Sequence, residues 1–215
     1  MKNGLLLVIS ILLFSVAASS QINRSGTPLV TCFDAAETPG DMVNMCVTMD
    51  KLGVMYFGNE SKSIVTYDGY NWGQVLIPGP QRVNALACDY RGLVYVGTET
   101  DFGFLQPDQT GSLRFMSFAS RLRDSVLRSE VGMIKSIAAD SNTVYFTDSK
   151  KLYLYGEKDD TLQVLDIERE YGLSRASFIL PFDNKIIVAD NREGLYYYSD
   201  GKMNALEGGD AIRIL

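Results

Sequence analysis

Histidine is absent from the 215 residues, so the catalytic vocabulary of the chain is short from the outset. No Ser-His-Asp or Cys-His nucleophile can be assembled, and neither a His-ligated zinc centre nor a phospho-accepting histidine is available. Acid pairs remain, at Asp159 and Asp160 and at Glu168 and Glu170. Both fall in apparent turn or edge segments with no partner constellation, which fits solvated charge better than general acid–base work. The sequence therefore predicts no catalytic residues, no metal ligands and no cofactor. Binding is the chemistry left to look for. Four polar turns, at residues 59–62, 98–101, 148–151 and 190–193, mix carboxylates or amides, and three of the four add Lys or Arg. Such groups can hydrogen-bond a polar ligand such as an oligosaccharide. The candidate ligand-binding residues are Asn59, Glu99, Asp101, Asp148, Asp190 and Arg192. Taken singly, each also reads as a solvated residue that caps a strand. As a set they stand out, because Asn59, Asp148 and Asp190 recur at one position of a repeat.

That repeat supplies the elements that must position them. Met55-Tyr56-Phe57-Gly58-Asn59, Val94-Tyr95-Val96-Gly97-Thr98, Val144-Tyr145-Phe146-Thr147-Asp148 and Ile186-Ile187-Val188-Ala189-Asp190 share three large residues, one small and one polar. The polar position recurs at 59, 98, 148 and 190, in steps of 39, 50 and 42 residues, in or near the range of propeller blades built from four strands. A preceding strand ends each time in aspartate, at Asp50, Asp89, Asp140 and Asp183. The residue two before it is compact in every copy: Thr48, Ala87, Ala138 or Pro181. Converging first strands need small side chains, so core packing accounts for this column without a ligand. Tyr67-Asp68-Gly69 and Ser199-Asp200-Gly201 mark hairpin turns. Trp72 is expected to pack on its blade, and Tyr196-Tyr197-Tyr198 to form a strand with aromatics on both faces.

The expected fold is all-β, a propeller of four-stranded blades with about four present and the ring incomplete. Blades are assigned to residues 43–82, 83–133, 134–174 and 175–210, with 211–215 opening a further one. Residues 1–20 follow the plan of a secretory signal peptide, with Lys2, an apolar run from Leu5 to Phe14 and small residues before Gln21; residues 21–42 form an extended lead-in. Export to the periplasmic or extracytoplasmic side follows. The 50-residue step holds an insertion in which Phe118, Leu122 and Val126 predict a short amphipathic helix within 117–129, with Arg121, Arg123 and Arg128 on its solvated face. Cys46 and Cys88 read as small buried hydrophobes, and three cysteines are too few for a disulfide framework. A net charge of −6 gives no electrostatic reason to expect nucleic acid.

On residues 50–59, 89–98 and 67–72 the chain resembles the two-component regulator propeller family, whose repeat runs through an Asp-x-x-Gly turn, a strand ending in Gly-Thr or Gly-Asn, and Tyr-Asp-Gly before a Trp. The likeness spans residues 43 to about 206 and is strongest in the first two repeats. It implies the extracytoplasmic sensor of a signalling protein, followed in such relatives by further domains, a membrane helix and a cytoplasmic kinase or DNA-binding output. It brings no catalytic residues, since the family repeat is structural. The partners it and the residues imply are an oligosaccharide or other polar ligand, the missing blades and downstream domains, and a second copy as homodimer. Two other functions fit the same scaffold: a secreted polysaccharide lyase-like enzyme, and a structural or adhesion propeller.

Overall fold

A computed structural model describes residues 30–34, 36–41, 43–79, 81–183 and 185–209. The chain divides into two compact units, Met1–Phe33 and Asp34–Leu215. Of the first, only residues 30–33 are described, and they form neither helix nor strand. The expected signal peptide and the opening strand at 211–215 lie outside the described residues.

The second unit is a β-propeller segment of four antiparallel four-stranded sheets, each with its strands hydrogen-bonded in chain order. The first blade holds β1 (Asn44–Met49), β2 (Met55–Asn59), β3 (Ser63–Tyr67) and β4 (Trp72–Leu76). The second holds β5 (Val83–Cys88), β6 (Val94–Thr98), β7 (Phe102–Pro107) and β8 (Leu113–Ser117). The third holds β9 (Ser136–Ala139), β10 (Thr143–Thr147), β11 (Lys151–Gly156) and β12 (Thr161–Asp166), and the fourth β13 (Ala176–Phe182), β14 (Lys185–Asp190), β15 (Gly194–Ser199) and β16 (Lys202–Ala205). β-Branched and aromatic residues fill these strands because they pack well on a pleated surface covered on both sides.

Each blade presses one face on the next. Tyr56, Ile64 and Val75 of the first meet Val94, Val96 and Leu105 of the second. Tyr95 and Phe102 meet Val144 and Phe146 of the third, and Tyr145, Leu152 and Leu154 meet Ile179, Ile186 and Val188 of the fourth. Successive strand residues point to opposite faces, so every blade has a forward face and a backward face. The small column of the repeat has a direct cause here: a Cβ at Gly58 would lie 2.7 Å from a methyl of Val83, and one at Gly97 2.7 Å from Cβ of Ile134. The next blade enters against these glycines.

The insertion departs from expectation. Phe118 and Leu122 are buried, but Val126 is exposed, and a single 3₁₀ turn at Ala119–Arg121 is separated by extended backbone at Leu122 from α1 (Ser125–Ser129). Asp124 caps α1 by accepting from Val126 N, so a new helix starts where a continuous one was expected. The arginines are not one solvated face either: Arg128 donates to the carbonyls of Ser120 and Leu122, and Arg121 pairs with Asp160. A second helix, α2 (Ile167–Tyr171), follows β12 and ends at Gly172 in the left-handed conformation. Cys46 and Cys88 are half-buried rather than fully enclosed, and all three cysteines are free. Trp72 is likewise half-buried, stacked on Tyr67 at 4.4 Å between ring centres.

Candidate functional site: the turns between second and third strands

The column Asn59, Thr98, Asp148 and Asp190 closes the second strands, and all four side chains are buried. Their hydrogen bonds follow one plan. Asn59 Oδ1 accepts from Ser61 N at 2.9 Å and from Asp41 N at 3.2 Å. Asp148 Oδ1 accepts from Lys150 N and Lys151 N at 3.0 and 2.8 Å, while its Oδ2 accepts from Gly132 N at 3.1 Å and from the Tyr153 hydroxyl at 2.7 Å. Asp190 Oδ1 accepts from Arg192 N and Glu193 N at 2.8 and 3.0 Å, and its Oδ2 from Arg175 N at 2.8 Å. Thr98 reaches the same result through Gln81: its hydroxyl lies 2.6 Å from Gln81 Oε1 and 2.8 Å from the Asp101 carbonyl, and accepts from Asp101 N at 3.0 Å.

In each blade the polar side chain both closes the turn just after it and holds the segment that enters the blade, with Asp148 and Asp190 using one carboxylate oxygen for each task. The column is a clasp. A carboxylate has about four acceptor sites, and Asp148 has four donors on it, so its capacity is spent inside its own blade. That saturation is what permits burial of a charge that would otherwise be costly. Asn59, Asp148 and Asp190 share the expected column, but the structure turns their polar atoms inward, and none presents a free face to a ligand among the described residues.

The other three candidates separate from this column. Asp101 also points inward: it accepts from Phe102 N at 2.7 Å, Ser117 Oγ at 2.9 Å and Ala119 N at 3.3 Å, tying the third strand to the start of the insertion. Burial pushes its pKa up despite those bonds. Glu99 lies at the surface. The Arg82 guanidinium donates to Glu99 Oε1 at 2.9 and 3.1 Å and holds its carboxyl below the usual range. Arg82 also lies 3.6 Å from Glu60, so an ionic bridge links the turns of the first two blades. Arg192 is the most open of the six, with its side chain 71% exposed and its Nε 3.4 Å from Glu193. Arg175, Asn191, Arg192 and Glu193 line a shallow polar hollow of about 470 Å³.

The structure adds residues the sequence did not single out. Gln81, Arg82, Gly132 and Arg175 all precede first strands and stand 15 to 17 residues from their turn partners. The usable signal was their common position ahead of each blade, not their types. Lys150 pairs with Glu168 at 3.0 Å and Lys151 with Glu130 at 3.2 Å, adding charge to the rim of the third blade. Of the acid pairs, Asp160 is engaged by Arg121 and by the Tyr155 hydroxyl, and Glu168 by Lys150. A separate cleft of about 700 Å³ beside the third blade is lined by Arg121, Leu122, Arg123, Leu127, Asp160 and Val164, among others. Among the described residues no group of three or more His, Cys, Asp or Glu is arranged to hold a metal ion.

No protein-family model matches the chain, and no curated protein does. Solved structures are similar in fold. One is the extracellular domain of a B. thetaiotaomicron protein assigned as a hybrid two-component system, at 21% identity and a TM-score of 0.54, with 80% of this chain and 22% of that one covered. Another is virginiamycin B lyase from Staphylococcus aureus, at 13% identity and a TM-score of 0.59, with 75% and 54% covered. A third is the computationally designed protein Ika8, at 13% identity and a TM-score of 0.54, with 74% and 46% covered. The chain thus spans about a fifth of the extracellular domain and about half of the lyase.

Proposed function

We propose that this chain is the ligand-sensing propeller segment of an extracytoplasmic signalling protein, and that it binds a polar ligand of the oligosaccharide class on the face carrying the second-to-third-strand turns. The observation that carries the reading is the division of labour at those turns. Buried clasps fix the backbone of each turn, and charged groups from successive blades stand on the rigid rim: Arg82 and Glu99, Lys150, Arg175 and Arg192. Ligand recognition by hydrogen bonds benefits from such preorganisation, since little freedom is lost on binding. The likeness to an extracellular domain of a two-component system agrees with an exported sensor, in which the remaining blades and an output domain would be partners.

Binding is favoured over catalysis by a specific contrast. The S. aureus lyase is catalytically inactive when one histidine is replaced by alanine, and this chain contains no histidine. Calorimetric titration with a panel of neutral and acidic oligosaccharides tests the proposal. Replacing Arg175 and Arg192 together by alanine should weaken binding at least tenfold with the fold intact. Loss of binding on replacing Arg121 and Arg123 instead would move the site to the side cleft, and turnover of any panel member would favour the enzyme.

A further inference from the structure

The cleft of about 700 Å³ between the insertion after the second blade and the outer strand of the third has the size of a small-ligand site, roughly 300–1,000 Å³. Both of its walls are pinned. On the insertion side Phe118 is fully buried with its ring 4.3 Å from that of Tyr155, and Arg128 donates to the carbonyls of Ser120 and Leu122 at 3.2 and 2.6 Å. On the other side six consecutive residue pairs hold β12 to β11 without a bulge. Arg121 ties the walls together, donating to the carbonyl of Asp160 at 3.0 Å and pairing with its carboxylate at 2.9 Å.

The lining is aliphatic, and few of its charges are left over. Leu122 is buried, and Leu127, Leu162 and Val164 are half-buried. Arg121 and Asp160 neutralise each other, but Arg123 and Asp124 are not so engaged. Among the described residues Arg123 makes no hydrogen bond or ion pair, and Asp124 commits only Oδ1, which accepts from Val126 N at 2.8 Å. The backbone is extended at Leu122 and at Asp124. Successive side chains of an extended segment diverge, so this cation and this carboxylate stand apart, as the two ends of a short peptide do and the adjacent groups of a free amino acid do not. The third feature is β12 itself. As the outer strand it pairs with β11 alone, and no described residue bonds to the main chain of residues 161–165 from the other side. An open strand edge supplies main-chain hydrogen bonds to an extended peptide, while neighbouring pockets take its side chains. A fatty acid has neither amides for that edge nor a cation for Asp124.

We infer that this cleft binds a short extended peptide with aliphatic side chains and free termini, its carboxylate on Arg123 and its ammonium group beside Asp124. Arginine suits the first role because its planar fork meets a carboxylate through two parallel hydrogen bonds. The site is separate from the turn face and takes a ligand of another class, so it stands whether or not that face binds an oligosaccharide.

Calorimetric titration of the full chain with the tripeptide Val-Leu-Val should show one site per chain, and absence of binding overturns the inference. Amidation of the probe's carboxyl group should weaken binding about tenfold, the loss expected for one charge-assisted pair. Arg123→Gln should cost the free acid the same factor of about ten and leave the amidated probe unaffected. Equal weakening of both probes would reject the role of Arg123. Asp124→Asn keeps a side chain that caps a helix, and it should erase the preference for a free over an acetylated amino terminus. A preference that survives rejects the role of Asp124. Ser-Gly-Ser with free termini should not bind, and affinity equal to that of Val-Leu-Val would contradict recognition by the aliphatic walls. Methylating both amide nitrogens of Val-Leu-Val should weaken binding, and unchanged affinity would contradict pairing with β12. The protein with Arg175 and Arg192 both replaced by alanine should bind Val-Leu-Val as the native protein does; loss of binding there would place the peptide on the turn face and overturn the separate site.

Discussion

The two ends of the propeller solve the same problem at different range. At the end where first strands turn into second strands, Asp50, Asp89 and Asp140 accept from amides two to four residues ahead, at 2.8 to 3.0 Å. The tyrosine at the middle of the second strand then reaches back to the same aspartate, at 2.9 Å for Tyr56 and 3.2 Å for Tyr145. These are local devices that shape a hairpin. At the other end Asn59, Asp148 and Asp190 bond both to the next turn and to a segment 15 to 18 residues earlier. The difference teaches that where the bonds of a polar column in a repeat are non-local, its first role is to weld the repeat together.

Substitutions can break or sharpen this contrast. Asp148→Ala should cost the most, about 2–4 kcal/mol, because three backbone amides and a buried tyrosine hydroxyl lose their acceptor together. Asp50→Ala, at a half-buried hairpin, should cost about 1 kcal/mol, and equal losses in urea denaturation would erase the distinction between the ends. Gly97→Ala should cost about 1–3 kcal/mol by overpacking against Ile134, with no effect on either set of turns.

The second blade adds a charged cluster to the local end, which makes it sensitive to pH. Arg91 bridges Asp89 and Glu157 at 3.0 and 2.8 Å, and the Tyr95 hydroxyl donates to Glu157 at 2.8 Å. Burial pushes the pKa of Glu157 up. Burial also acts against ionised Asp89, but the amide of Leu93 and the Arg91 guanidinium outweigh it and hold that carboxyl below its usual range. For Glu157 the folded state binds its proton more tightly than the unfolded state, so its contribution to stability is lost as pH rises. Relative to Glu157→Gln, the native protein should therefore lose stability as pH climbs above the ordinary glutamate value of about 4.3. A parallel pair of stability profiles would contradict that shift. The smallest effect concerns Cys46 at the junction of the first two blades, whose thiol burial raises to about 12. In native protein at pH 8 Cys46 should resist alkylation while exposed Cys32 reacts, and equal rates would show the junction to be open.

The fold was legible because each blade repeats its constraints. Three large residues, a small one and a polar one appear wherever a second strand must receive the entering residue of the next blade, as Gly58 receives Val83 and Gly97 receives Ile134. The insertion was less legible. Phe118 and Leu122 have helical spacing, yet Asp124 competes for the backbone and splits the segment. Of the candidate site, position was readable and orientation was not. Nothing in the type of Asp148 or Asp190 says whether its carboxylate faces water or the amides of Gly132 and Arg175, since those partners are remote in sequence and are themselves unremarkable residues. Arg192, by contrast, was both placed and exposed as its turn context implied.

Amide hydrogen exchange of Asp148→Ala against the native protein tests the clasp most directly. The account predicts selective acceleration at Gly132, Lys150 and Lys151, whose amides Asp148 accepts, with the hairpin amides of Val54 and Leu93 unchanged. Unaltered exchange at those three positions would contradict it, as would acceleration spread evenly over both ends.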